Sequence, residues 1–247
     1  MNNSMKIITT LILGLLTLGY LPLAHSQNEN ARAQAPIDIT GNWVSLVTEG
    51  WRLRILTGEA GYIGGYELTE LGRSVAESWD PQADTANGEA CKSYGAGGLM
   101  RQPTRLQIDW ENDNVLRIET DAGMQTRMLK FGLAQDGEGA GTWQGVSNAH
   151  WEAHGQNPDA TASNGTLAVE TGHMRSGYLL RNGIPYSEQA VMQEYFEIIQ
   201  GEDGTEYLVV VSIVEDPVFL SAPAITSSNF RREADDSGWS PTECLAD

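Results

Sequence analysis

From Thr104 to Arg232 the chain repeats one pattern: a short run of alternating apolar and polar residues, a turn, then another run. Arg105–Trp110 alternates, Glu111–Asn114 turns, and Val115–Thr120 alternates again. Asp121-Ala122-Gly123 is a tight turn that leads back through Gln125–Phe131. Successive side chains of a strand point to opposite faces, so each run presents one apolar and one polar side, as half-buried strands do. Thr142–His154, Thr166–Thr171, Tyr178–Arg181, Glu206–Val214 and Ala224–Arg232 read the same way. Upstream, Asn42–Thr48 and Trp51–Thr57 read as two more strands separated by a Gly. Val191–Gln200 fits either a helix or a strand by pattern. The Gly201–Thr205 turn and the strand after it favour a hairpin, and hence a strand. The predicted fold is all-β, an antiparallel barrel of nine or ten strands, because sheet of that extent closes to remove its edges.

One helix is predicted, over Leu68–Trp79, with Thr69 as N-cap, Leu71, Val75 and Trp79 four apart, and Pro81 ending it. Asp80–Gly98 lacks periodicity and reads as a long loop. Gln135–Gly141 reads as a flexible turn. Ahead of the barrel, Met1–Lys6 carries one positive charge and Ile7–Leu23 is almost wholly apolar. Ala24-His25-Ser26 then places small residues where a signal peptidase cuts, and Ala31-Arg32-Ala33 offers a second such site. Residues 1–26 are therefore predicted to be a signal peptide, 27–36 a flexible leader and 37–247 one β-barrel domain in a secreted or periplasmic protein. Pro22 interrupts the apolar run and no basic cluster follows, so no membrane insertion is expected after cleavage.

The chain holds 15 basic and 33 acidic residues, a formal charge of −18, and loss of residues 1–26 removes one Lys and no acid. Nucleic acids and anionic membranes are bound through Lys and Arg, so a surface this acidic excludes nucleic acid as a partner. The two cysteines, Cys91 and Cys244, fit one disulfide in an oxidising compartment, the alternative being two separate buried thiols.

Two resemblances accompany this pattern. Gly41-Asn42-Trp43, opening the first strand, resembles the Gly-x-Trp signature of lipocalins and other calycin barrels. That likeness implies a Trp packed across the closed barrel end under a basic residue of the last strand, Arg231 or Arg232. Thr120-Asp121 is followed by Ala122, where lipocalins usually carry an aromatic residue. A longer set is similar to an uncharacterised family of secreted bacterial β-rich proteins. It comprises Thr142-Trp143, Gly145, Ser147 and Trp151-Glu152, then Leu180-Arg181, Gly183, Pro185, Ser187-Glu188, Glu194, Phe196 and Asp216-Pro217. It implies an exported β-rich protein and no particular reaction.

Few residues suggest chemistry. His150, Glu152 and His154 would share one face of a strand. Neighbours two apart lie about 7 Å apart and chelate one ion, whereas the two histidines would be roughly 13 Å apart. A His-Glu-x-x-His helix is missing, so no metal and no cofactor are expected. Glu194 alternates with Met192 and Phe196, which points it into the barrel. A buried carboxyl there serves either as a general acid–base or as the partner of a strand arginine such as Arg117 or Arg127. Trp43, Trp51, Trp110, Trp143 and Trp151 all fall in predicted strands, where they either line an apolar cavity or fill a core.

Three functions follow as expectations. The first is an exported binding or carrier protein for a small, largely apolar molecule, using Trp43, Trp51 and Tyr195 with Arg52 or Arg54 as polar anchor. The second is a cofactor-independent lyase, isomerase or hydrolase using Glu194 with His150 or His154. The third is a structural protein of the cell envelope without a ligand.

Overall fold

The structure, a computed structural model, describes residues 30–47, 50–132, 137, 140–153 and 165–246. The expected signal peptide, the start of the expected leader and His154 lie outside these residues. In chain order the strands are β1 (Gly41–Leu46), β2 (Arg105–Asn112), β3 (Val115–Thr120), β4 (Thr126–Phe131), β5 (Val146–Ala153) and β6 (Gly165–Gly172). They continue with β7 (Gly177–Leu180), β8 (Ile184–Tyr186), β9 (Val191–Gln200), β10 (Glu206–Glu215) and β11 (Ala224–Glu233). Nine of them close into a barrel in the order β1-β11-β10-β9-β6-β5-β4-β3-β2, while β7 and β8 form a separate hairpin.

The expected barrel is present, with one correction of direction. Every neighbouring pair is antiparallel except β4 and β5, which run parallel. A parallel neighbour needs a crossover of roughly a dozen residues. The stretch between Phe131 and Val146 supplies that length, part of which the pattern had assigned to strand. The parallel pairing spans only Leu129–Phe131 against Ser147–Ala149.

The single-helix expectation is also corrected. Thr69 caps α2 (Glu70–Glu77) as predicted, accepting a hydrogen bond from the Gly72 amide at 3.0 Å. Its buried positions are Gly72 and Ala76, whereas Leu71 is exposed. A Cβ on Gly72 would collide with the Phe219 carbonyl, so the helix docks through its small residues.

Trp51–Ile55, expected as a strand, is a helical turn, α1. Arg54, which a strand would place on one face with Arg52, is buried and donates from Nε to the Arg101 carbonyl at 3.0 Å, whereas Arg52 is exposed. The expected loop over Asp80–Gly98 contains α3 (Pro81–Ala86), a 3-10 turn (Ala90–Tyr94) and α4 (Ala96–Leu99). Pro81 begins α3 behind the Asp80 cap, so it serves as a helix start as well as a stop. Asn30–Pro36, expected as a mobile leader, is tied to the barrel. The Ala31 amide donates to Asn114 Oδ1 at 2.9 Å, and the Trp151 indole donates to the Ala31 carbonyl at 2.9 Å.

Cys91 and Cys244 form the expected disulfide, with Cα atoms 5.1 Å apart, joining the 3-10 turn to the C-terminal tail. Among the described residues no helix is long and apolar enough to cross a membrane.

Candidate functional site

Side chains fill the barrel in three tiers. Trp43, Leu106, Ile118, Leu129, Phe196 and Phe230 belong to an apolar cluster with no exposed surface at these residues. At the other end Met192, Val214 and Ala224 meet the residues of α2, α4 and the β7–β8 hairpin in a second cluster. Between them lies a polar belt of Arg127, Ser147, Thr171, Glu194, Ser212 and Ser228, all buried.

Glu194 faces inward as its alternation with Met192 and Phe196 predicts, and Arg127 grips it with two bonds. Nη2 reaches Oε2 at 2.6 Å and Nη1 reaches Oε1 at 3.2 Å. Arg127 Nη2 also donates to Thr171 Oγ1 at 3.2 Å, and the Ser147 and Thr171 hydroxyls are 2.8 Å apart. With Glu194 at 0% and Arg127 at 1% exposure, the pair is closed off from solvent. Of the two roles the sequence left open, the geometry is that of the ion pair. Burial pushes the nearby Tyr186 phenol up, against the Gly97 backbone hydrogen bond and the Arg127 charge, which lower it.

The structure does not bring the remaining predicted site residues together. His150 lies on the outer face of β5 beside Glu152, 3.2 Å away, with the barrel wall between it and Glu194. Trp43 is buried under Arg232, whose guanidinium sits 4.2 Å from the indole centroid, so of the two candidate arginines Arg232 makes the contact. Trp51 and Arg52 are exposed on α1, Arg54 is buried at its base, and Tyr195 points outward from β9. The five tryptophans therefore do not line one cavity.

What the sequence reading did not assemble is the aromatic group at one barrel mouth. Trp110, Phe131 and Trp151 are the last inward residues of β2, β4 and β5. Their centroids are 5.5 Å apart for Trp110–Phe131, 5.4 Å for Phe131–Trp151 and 6.4 Å for the two indoles. Each ends an inward alternation (Leu106, Ile108, Trp110; Leu129, Phe131; Ala149, Trp151), a signal the sequence does carry. The segment from Asn30 to Thr40 crosses this mouth and leaves a cleft of about 450 Å³. Trp110, Trp151 and Ile37 are among its apolar lining residues, and Arg32, Asp38 and Asp109 supply charge. The two indoles give this cleft an aromatic wall, while most of its exposed lining is polar.

One further titratable cluster is structural in character. Asp84 accepts from Lys92 Nζ and from the Tyr178 hydroxyl, both at 2.8 Å. Burial alone would lower the Lys92 pKa, but hydrogen bonds to Asp84 and Glu89 outweigh it and hold the ammonium above its ordinary value. Burial, then the bond to Asp84, pushes the Tyr178 phenol up. A general base working near neutral pH needs the opposite shifts. Among the described residues no cluster of three metal-ligating side chains exists. Comparison of the chain with protein-family models and with curated proteins finds no match.

Proposed function

We propose that the protein is an exported binding protein for a small, largely apolar molecule, held at the barrel mouth rather than inside the barrel. The observation that carries this reading is the pair of indoles, Trp110 and Trp151, each packed against Phe131 and lining a cleft large enough for a bicyclic ring system. The ligand's ring lies on the indoles, and a polar end meets Asp38, Asp109 or Arg32. The filled lumen and the enclosed Glu194 leave the barrel interior to packing, which turns the expected internal carrier into a rim binder. Export is supported by the signal-type N-terminus and by a disulfide, which persists in oxidising compartments.

Native mass spectrometry of the mature protein tests this reading. A co-purified small molecule that is lost in Trp110→Ala, while the variant keeps its wild-type melting temperature, is the expected result. A molecule retained in that variant would place the ligand elsewhere.

A further inference from the structure

Strand β10 is apolar on both faces. Leu208, Val210 and Val214 point into the barrel, and the alternate residues Tyr207, Val209, Val211 and Ile213 form an unbroken apolar row outside it. An antiparallel strand with one face in water carries polar residues on that face. Strand β2 does so, with Arg105, Gln107, Asp109 and Glu111 outward. The outer row of β10 is not isolated. In register beside it stand Tyr195 and Ile199 on β9 and Ile225 on β11, and β1 adds Val44 and Leu46 beyond β11. Ile225 is 66% exposed and Ile199 50%. Among the described residues, neither apolar cluster of the core takes in any side chain of this face.

Size and charge point to the occupant of this face. The four strands β9, β10, β11 and β1 span roughly 19 Å, and the length of β10 adds about 30 Å in the other direction, an area on the order of 600 Å². Two such faces together give about 1,200 Å², the lower bound of a specific interface. Contiguous apolar surface of this extent marks an interaction site. The chain holds 33 acidic and 15 basic residues, yet inside its rim the face carries one charge of each sign, Glu197 on β9 and Arg231 on β11. Glu197 accepts from the Thr166 hydroxyl at 3.0 Å, and Glu215 closes the β10 row at the rim. A face cleared of the excess negative charge suits contact between two equally acidic bodies. At about 0.15 M salt, charges more than about 8 Å apart are largely screened, which removes most of the repulsion between the rest of two such chains.

We propose that this face is a dimer interface between two copies of the chain, related by a twofold axis running along β10. Strand β10 then lies over β10 of the second copy, with Val211 at the centre, and β11 lies over β9. Arg231 and Ile199 share a register with Tyr207, so Arg231 of each copy comes over the Glu197–Ile199 stretch of the other. The Arg231–Glu197 pair therefore forms twice, once in each direction. A twofold axis across the strands would set β11 on β11 and leave both charges unmatched. The mouth aromatics belong to β2, β4 and β5, on the other side of the closed barrel, so the mouth cleft stays open in the dimer.

Sedimentation velocity of the mature protein, from roughly 1 µM to 1 mM, tests the proposal. A monomer–dimer equilibrium is expected within that range. Val211→Glu sets two carboxylates against each other at the twofold axis and should weaken association at least roughly hundredfold, with circular dichroism showing the barrel intact. Glu197→Arg and Arg231→Glu each turn both ion pairs into like-charge contacts, and each should weaken it roughly tenfold or more. Mixing these two charge variants restores opposite charges at both contacts, so the mixture should associate about as tightly as wild type. A protein that stays monomeric throughout the range would overturn the proposal and leave the face to a different partner. A dimer indifferent to Val211→Glu would place the interface elsewhere, and a mixture no tighter than either charge variant alone would contradict the twofold arrangement.

Discussion

At the scale of residues, the Arg127–Glu194 pair decides how the barrel interior is read. A doubly bonded ion pair without solvent access holds its partners only while both are charged and matched, and removing one strands the other in a low dielectric. Glu194→Gln is therefore expected to cost about 3–5 kcal/mol, a fall in Tm of about 6–20 °C for a chain of this size. The double change Arg127→Met with Glu194→Leu should recover most of that loss, because replacing both members with apolar residues of similar volume is near neutral. Thermal melts of the three proteins check this. A single variant as stable as wild type would mean that Glu194 is not paired. The inward face of Glu194 was legible from the Met192–Phe196 alternation alone, and Arg127 was one of the two partners the sequence allowed. The choice between them was not, since it depends on which side chains meet inside the closed barrel, where β4 and β9 are separated in the sheet by β5 and β6.

Elements show the same division between local pattern and neighbourhood. Strands β2, β3, β4, β9, β10 and β11 match their alternating runs because each has one face on the core. The parallel seam was invisible, as alternation reports that a strand exists and not which way its neighbour runs. Trp51–Ile55 misled for another reason: its alternation was read as a strand with Arg52 and Arg54 on one face, whereas backbone carbonyls at Leu46 and Arg101 accept the Arg54 guanidinium in the interior. Helix α2 gives a prediction whose sign separates propensity from packing. In an exposed helix, Gly→Ala gains about 1 kcal/mol. Here Gly72→Ala is expected to destabilise by about 1–3 kcal/mol, because its Cβ has to displace the Phe219 backbone. Urea denaturation decides between the two, and a stabilised variant would mean that α2 does not dock through Gly72.

Taken whole, the molecule is a barrel whose lumen is occupied by its own side chains. One end is capped by α2, α4 and the β7–β8 hairpin, and the other is crossed by Asn30–Thr40. The disulfide joins residues 153 apart in sequence, and in the chain-entropy picture a crosslink over such a loop contributes at most roughly 5 kcal/mol. On the proposed reading, binding is left to the openings in this shell, and the tryptophans, read as lining one cavity or filling a core, are dispersed over the core, the mouth, the β4–β5 seam and α1. A ¹H–¹⁵N spectrum tests that placement most directly, because each of the seven tryptophans carries one indole N–H reporter. Titrated with 2-naphthol, a bicyclic ring bearing one hydroxyl, the Trp110 and Trp151 signals should shift together and saturate while the Trp43 signal stays still. Saturating shifts at Trp43, or no saturable change at Trp110 and Trp151, would contradict a rim-binding barrel.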